Sequence, residues 1–195
     1  MGYIMAGQKN VVLLFHIYQP PWQTVEAFEA EYQNSYLPLL KIIKDQNIKV
    51  TLNIAGSLVE FLQRQHKTAF RDLLQELLAA KLIELTGSAM YHALLPLTPA
   101  DEVARQIQLN TEALKNYLGN DLKLAGFYIP ELAADTATLR HIKQAGFSWA
   151  TVDESSLLKP DWEKAMIDDD SGITVLANDS AFRTSGAAKF ERPNN

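Results

Sequence analysis

An α/β fold on a parallel sheet is predicted for this 195-residue chain by three observations. Strand-like and helix-like segments alternate along it, no strand-turn-strand hairpin signal interrupts the alternation, and the chemically notable side chains fall where strands run out into loops. An open sheet and a barrel are both compatible with this pattern. In either, ligands bind beyond the carboxyl ends of the strands, where successive strand-to-helix loops converge. The length suits one domain over residues 1–195.

The elements follow in order. Residues 11–15 are a β-branched and aromatic run, and residues 49–54 (Lys-Val-Thr-Leu-Asn-Ile) alternate apolar with polar, so both read as strands. Between them residues 37–44 carry apolar side chains at 37, 39, 40, 42 and 43, with Pro38 suited to a first helical turn. Residues 57–65 and 68–80 have helical spacing, and residues 81–85 return to a strand pattern before Thr86-Gly87. Thr98-Pro99-Ala100-Asp101 places a capping hydroxyl before a proline and an acid, opening a helix to about Leu118 that Gly119-Asn120 stops. Residues 124–128 form the next strand, Asp135 caps a helix ending at Gly146, residues 147–152 give a strand, and residues 173–176 a last one. Asp168-Asp169-Asp170 before Ser-Gly reads as a solvated turn.

Composition excludes several function classes. Apolar residues make up 47% and charged residues 21%, close to globular averages, and no apolar run reaches the roughly 18 residues that span a bilayer. The first ten residues lack the basic start, apolar centre and cleavage site of a secretory signal, so a cytoplasmic, soluble protein without membrane attachment is expected. A formal charge of -5 with only 18 unclustered Lys and Arg argues against nucleic acid as a partner. Cysteine is absent, and the histidines at 16, 66, 92 and 141 show neither His-x-x-x-His nor His-Glu-x-x-His spacing, so no metal site and no cofactor are expected; His66 and His141 read as helix-surface residues. Glycine loops for phosphate and a Gly-x-Ser-x-Gly turn are also missing.

Two strand ends carry sugar-handling chemistry. Glu131, in Gly126-Phe127-Tyr128-Ile129-Pro130-Glu131, follows a proline that ends the strand ladder and stiffens the backbone beneath the carboxylate. The plainer account is an acid complementing the dipole of the next helix. In Phe15-His16-Ile17-Tyr18-Gln19-Pro20-Pro21-Trp22, His16 and Gln19 each offer a donor and an acceptor for hydroxyls, and Trp22 or Tyr18 a flat apolar face for a pyranose ring. A buried, satisfied core histidine is the alternative for His16. Glu84, within its strand, is either solvent-facing or buried with a partner, and the second case marks a site. His92 stands in an otherwise apolar and aromatic loop, while Asp153 and Glu154 end a strand, as ligands, as acid or base, or as turn formers.

These residues resemble glycoside hydrolase family 57. His16-Ile17-Tyr18-Gln19-Pro20 is similar to that family's His-x-His-Gln-Pro opening, with Tyr18 in place of the second histidine. Residues 81–84 with the loop to His92 resemble its second region, residues 127–131 its nucleophile region, and Phe147-Ser148-Trp149-Ala150-Thr151-Val152-Asp153-Glu154 the strand after the nucleophile. The resemblance implies a distorted seven-stranded parallel β/α barrel, incomplete if the chain is a part of a longer protein, and a retaining hydrolase or transglycosylase acting on α-glucans such as starch or glycogen. It implies Glu131 as nucleophile, with His16, Gln19, Glu84 and His92 shaping the pocket around the sugar; the residues themselves add Trp22 and Asp153 as candidate substrate-binding groups. The family's acid/base aspartate lies well downstream of the nucleophile and has no counterpart in this sequence; neither Asp153 nor Asp179 carries its surrounding pattern, and the tail at residues 187–195 is neither periodic nor capped, so a missing later segment is expected. Strand edges left open by such a segment would favour a homo-oligomer. Two alternatives stand beside this: a non-catalytic glycan-binding or regulatory domain, and a polysaccharide deacetylase-like enzyme, which needs a metal triad not found in the sequence.

Overall fold

The computed structural model describes residues 12–156 and 165–178. A seven-stranded sheet in the order β1-β2-β3-β4-β5-β7-β6 organises them: β1 Leu14–Ile17, β2 Val50–Ile54, β3 Ile83–Gly87, β4 Gly126–Tyr128, β5 Trp149–Asp153, β6 Met166–Ile167 and β7 Thr174–Asn178. All pairings are parallel except β6 with β7. The sheet is not closed among the described residues, as in a distorted or incomplete barrel. Asp179 and the tail at residues 187–195 lie outside the described residues, as does Val11.

Each strand sorts its side chains by alternation. Val50, Leu52 and Ile54 of β2 and Ile83 and Leu85 of β3 join one buried cluster; Phe127, Ala150, Val152 and Val175 of β4, β5 and β7 join a second. The helices complete these clusters: α1 Val25–Glu31, α2 Leu37–Asp45, α3 Gly56–Arg64, α4 Thr68–Ala79, α5 Ala100–Leu118 and α6 Thr136–Gln144. Phe28, Leu40, Leu58, Phe70 and Leu74, all fully buried, come from the first four helices. The intervening strand positions, including His16, Asn53, Thr86 and Tyr128, face the other way, so the polar and aromatic side chains among them lie on the face opposite the two clusters.

Helix ends explain much of the register. Asn47, His66 and Lys81 have φ of 51°, 51° and 57° one residue beyond the caps of α2, α3 and α4. The next amides, of Ile48, Lys67 and Leu82, return to the carbonyls of Ile43, Leu62 and Leu77, the left-handed closure common at helix carboxyl ends. This moves β3 two residues beyond the predicted 81–85, because Lys81 closes a helix instead of opening a strand. Glu84 becomes its second residue, well short of the strand's carboxyl end. His66 is likewise a helix-closing residue.

Four further differences have physical causes. α1 was not expected, although Thr24 caps it by accepting from the Ala27 amide at 3.2 Å. A π-helical turn, Tyr32–Tyr36, joins α1 to α2 and turns both Tyr32 and Tyr36 into the core. Thr98 does not cap α5; its hydroxyl donates to the Leu94 carbonyl at 2.9 Å, and Pro99 stands at the cap position. The expected absence of hairpins fails at β6–β7, joined by the Asp168–Gly172 turn in which Asp168 accepts from the Ser171 amide at 2.8 Å and hydroxyl at 2.6 Å. A two-residue strand and a long loop carry no hairpin signature.

Close packing on the polar face is set by Gly126, where a methyl group would overlap the Trp149 indole on the neighbouring strand. Gly126→Ala is expected to cost about 1–3 kcal/mol by forcing that indole aside, read as a lowered urea midpoint with altered tryptophan fluorescence. An unchanged midpoint would show that the indole moves freely.

Candidate active site

The loops beyond the carboxyl ends of β1, β3 and β4 converge on a cluster of four aromatic rings. The His16 ring lies 4.5 Å from that of Tyr128 and 4.8 Å from that of His92, and His92 lies 4.6 Å from Tyr18, with ring planes within 26° of parallel. His16 is placed by β1, whose last two residues are His16 and Ile17; the strand runs further than the predicted 11–15, so His16 sits in it rather than after it. Across the ladder His16 pairs with Asn53 and Asn53 with Thr86. Side chains follow the same register: His16 Nδ1 is 2.7 Å from Asn53 Oδ1, and Asn53 Nδ2 donates to Thr86 Oγ1 at 3.0 Å and to the Gly87 carbonyl at 3.3 Å.

His92 is held by α5. Buried Asn110 accepts from the Ser88 amide at 3.0 Å, the Met90 amide reaches the Gln106 carbonyl at 3.1 Å, and Gln106 Oε1 accepts from the Tyr91 amide at 3.0 Å. The Ser88 hydroxyl donates to the Tyr128 carbonyl at 2.9 Å, tying this loop to β4. His92 Nε2 then lies 3.1 Å from Glu131 Oε1, while its Nδ1 is buried with no hydrogen-bond partner. A carboxylate only accepts, so Nε2 carries the proton in this contact.

Backbone conformation marks the same two residues. Among the described residues, beyond the three helix-closing positions, the positive φ values of non-glycine residues belong to His92 (57°), Glu131 (55°) and its neighbour Leu132 (55°). Each costs on the order of 1–2 kcal/mol, a cost that surrounding structure must hold in place and that gathers where geometry serves chemistry. Pro130 precedes Glu131, and the amides of Leu132 and Ala133 close back on the Ile129 and Pro130 carbonyls. Helix-dipole complementation does not account for Glu131, since Asp135 caps α6 by accepting from the Thr138 amide at 2.7 Å. The His92 side chain is 10% exposed and that of Glu131 71%, so the carboxylate stands open above a buried imidazole.

Burial sets the protonation of the inner histidine. It lowers the His16 pKa to about 4, opposed by the Asn53 hydrogen bond, reinforced by His92 and again opposed by the Glu131 charge. His16 is therefore neutral near pH 7.

The remaining expected residues are placed differently. Gln19 is 2% exposed, and the Tyr36 hydroxyl, from the π-helical turn, lies 2.7 Å from its Oε1 and 2.9 Å from the Tyr18 carbonyl. One end of the Gln19 amide thus holds the loop. Burial pushes the Tyr36 hydroxyl up to about 12, keeping it a donor. Trp22 is 79% exposed in a turn after β1, and no described contact joins it to the rings. Glu84 is exposed, level with Thr51, and borders a cavity of about 420 Å³ with Val12, Lys49 and Lys81 at the opposite strand ends. Asp153 ends β5 and accepts from the Ser155 amide at 2.9 Å and hydroxyl at 2.5 Å, a turn-forming engagement.

Asn53, Thr86, Tyr128 and Tyr36 were not singled out in the sequence. The alternation in Val50-Thr51-Leu52-Asn53-Ile54 carries a signal for Asn53, a polar side chain opposite an apolar strand face. Among the described residues no group of three or more His, Asp or Glu is arranged to hold a metal ion, and no helix is long and apolar enough to cross a membrane.

Known proteins resemble this chain in sequence and in fold. The model of "Glycosyl hydrolase family 57" matches residues 10–183. A 4-alpha-glucanotransferase of Thermococcus litoralis is 26% identical over 185 residues, covering 89% of this chain and 27% of that protein; an alpha-amylase of Pyrococcus horikoshii is 25% identical over 146 residues, covering 74% and 22%. The chain thus spans about a quarter of the length of these relatives. The crystal structure of a 4-alpha-glucanotransferase from Thermococcus litoralis superposes with a TM-score of 0.80 at 22% identity, covering 93% of this chain and 29% of that one, which shows a shared fold.

Proposed function

Because the chain belongs to glycosyl hydrolase family 57, we propose that it carries part of an α-glucan-processing site in which Glu131 is the nucleophile of a retaining hydrolase or transglycosylase. The reading is supported by the names of its relatives, a glucanotransferase and an amylase, and rests on one observation: the Glu131 carboxylate, held by His92 in a strained loop, opens beside stacked rings at the strand ends. The Nε2–H of His92 engages Oε1 and leaves Oε2 for attack. That oxygen bonds to the anomeric carbon as the bond to the leaving group breaks, giving a glycosyl ester; water or a glucan hydroxyl then takes the sugar and releases the carboxylate. The rings of Tyr18 and Tyr128 offer the apolar faces that a pyranose packs against. No cofactor enters these steps. A natural glucan also needs a second carboxyl group roughly 5–5.5 Å from the first to protonate its leaving oxygen, and we propose no residue of this chain for that role.

A substrate with a better leaving group dispenses with that acid. α-Maltotriosyl fluoride loses fluoride without protonation, so the chain is expected to release it in a stoichiometric burst and to gain the mass of one maltotriosyl group on the peptide containing Glu131. Glu131→Gln should abolish both. An adduct elsewhere, or none with glycan binding intact in both proteins, would replace this reading with that of a binding domain.

A further inference from the structure

We propose that Asn53 is a positioning residue that locks His16 in its Nδ1–H form, leaving Nε2 as an obligatory acceptor for a hydroxyl of the bound glucan. The glucan as ligand rests on the function proposed above; the proton position does not.

A backbone atom fixes the polarity of the chain of hydrogen bonds. The Gly87 carbonyl can only accept, and it lies 3.3 Å from the Asn53 amide nitrogen. Turning the amide over would set two acceptor oxygens against each other there, at a position with 0% exposure. Asn53 therefore presents Nδ2 to Gly87 and Thr86, and Oδ1 to His16. Across 2.7 Å that oxygen requires a donor, and Nδ1 of His16 supplies it. A neutral imidazole with its proton on Nδ1 has a lone pair on Nε2.

The surroundings keep the ring neutral. The groups that face it are Tyr18 from its own strand end, Tyr128 from β4, His92 from the loop after β3, Glu131 from the loop after β4, and the uncharged Asn53 from β2. Burial outweighs the attraction of Glu131. The two histidines consequently divide the work: His92 donates to the carboxylate, and His16 accepts. Sugar hydroxyls are donors as well as acceptors, so an accepting Nε2 pairs a hydroxyl proton that a donor at the same place would leave unpaired. A strand asparagine beneath the loops thus sets the polarity of the site.

Long-range proton–nitrogen NMR of the uniformly ¹⁵N-labelled chain, without ligand, tests the proton directly. In the parent, His16 should show the Nδ1–H pattern at neutral pH and protonate only near pH 4. Asn53→Leu should shift it to predominantly Nε2–H. An Nε2–H or doubly protonated His16 in the parent at pH 7 overturns the proposal even if Asn53→Leu fails to fold, as does an unchanged tautomer in a folded Asn53→Leu. Titration with maltohexaose provides the second arm: about tenfold weaker binding is expected for Asn53→Leu. Equal affinity would remove the glucan hydroxyl as the partner of Nε2. A parent that binds no maltohexaose defeats the glucan reading instead, while the proton position stands on the spectrum of the free protein.

Discussion

Glu131→Gly is expected to lose glycosyl-ester formation by at least roughly 10³-fold while folding about 1 kcal/mol more stably than Glu131→Ala. Both variants delete the carboxylate and its contact with His92. They differ in backbone: position 131 has φ of 55° and ψ of 12°, a conformation open to glycine and strained for alanine. Glycine normally loses to alanine because it has more freedom to surrender on folding, so a reversed order at this exposed position isolates the strain. Urea unfolding of the two variants reads the stability difference, and the fluoride burst reads the chemistry. If alanine proves as stable as glycine, the loop does not hold residue 131 in the left-handed region, and the reason for treating Glu131 as more than a surface acid goes with it.

Acidification provides the second large effect. The folded-state pKa of His16 is lowered to about 4 from an ordinary 6.5, so as pH falls the unfolded chain takes up this proton first. The stability that His16 contributes is complete above about pH 6.5 and drains away as pH drops toward 4, by a total on the order of 3 kcal/mol. Several carboxylates with lowered pKa, those of Glu29, Glu102 and Asp135, add their own losses at the acid end. The window from about pH 6.5 to 5 lies above them. There the parent should lose stability with falling pH, and His16→Gln should lose measurably less. Parallel curves would mean that the ring is charged or solvated in the native protein.

The parts of this architecture legible in the sequence are those governed by local rules. α4 matched its predicted start and ended one residue short, and Asp135 caps α6 as its side chain suggests. Strand boundaries followed less well, because they depend on neighbours. β1 reaches Ile17 only because β2 offers a ladder partner out to Ile54, and β3 begins late because Lys81 serves the preceding helix. The π-helical turn left no trace in composition, yet it places Tyr36 against the loop carrying Gln19. Among the candidate site residues, His16, His92 and Glu131 are brought together, since each lies at or just past a strand's carboxyl end. Glu84 shows the limit of that logic: it shares their face but sits two residues lower, and depth along a strand is set by the register with β2, which no single segment encodes.

Segregation of apolar and polar side chains onto opposite sides of the same strands has an evolutionary consequence. A substitution at position 52, 85 or 127 acts on the hydrophobic clusters directly, whereas one at 53, 86 or 128 acts on the hydrogen-bonded and ring-stacked side of the sheet. The two sides of one ribbon are therefore constrained differently, by complementary hydrogen bonds and ring contacts on one and by hydrophobic volume on the other, and are expected to diverge separately.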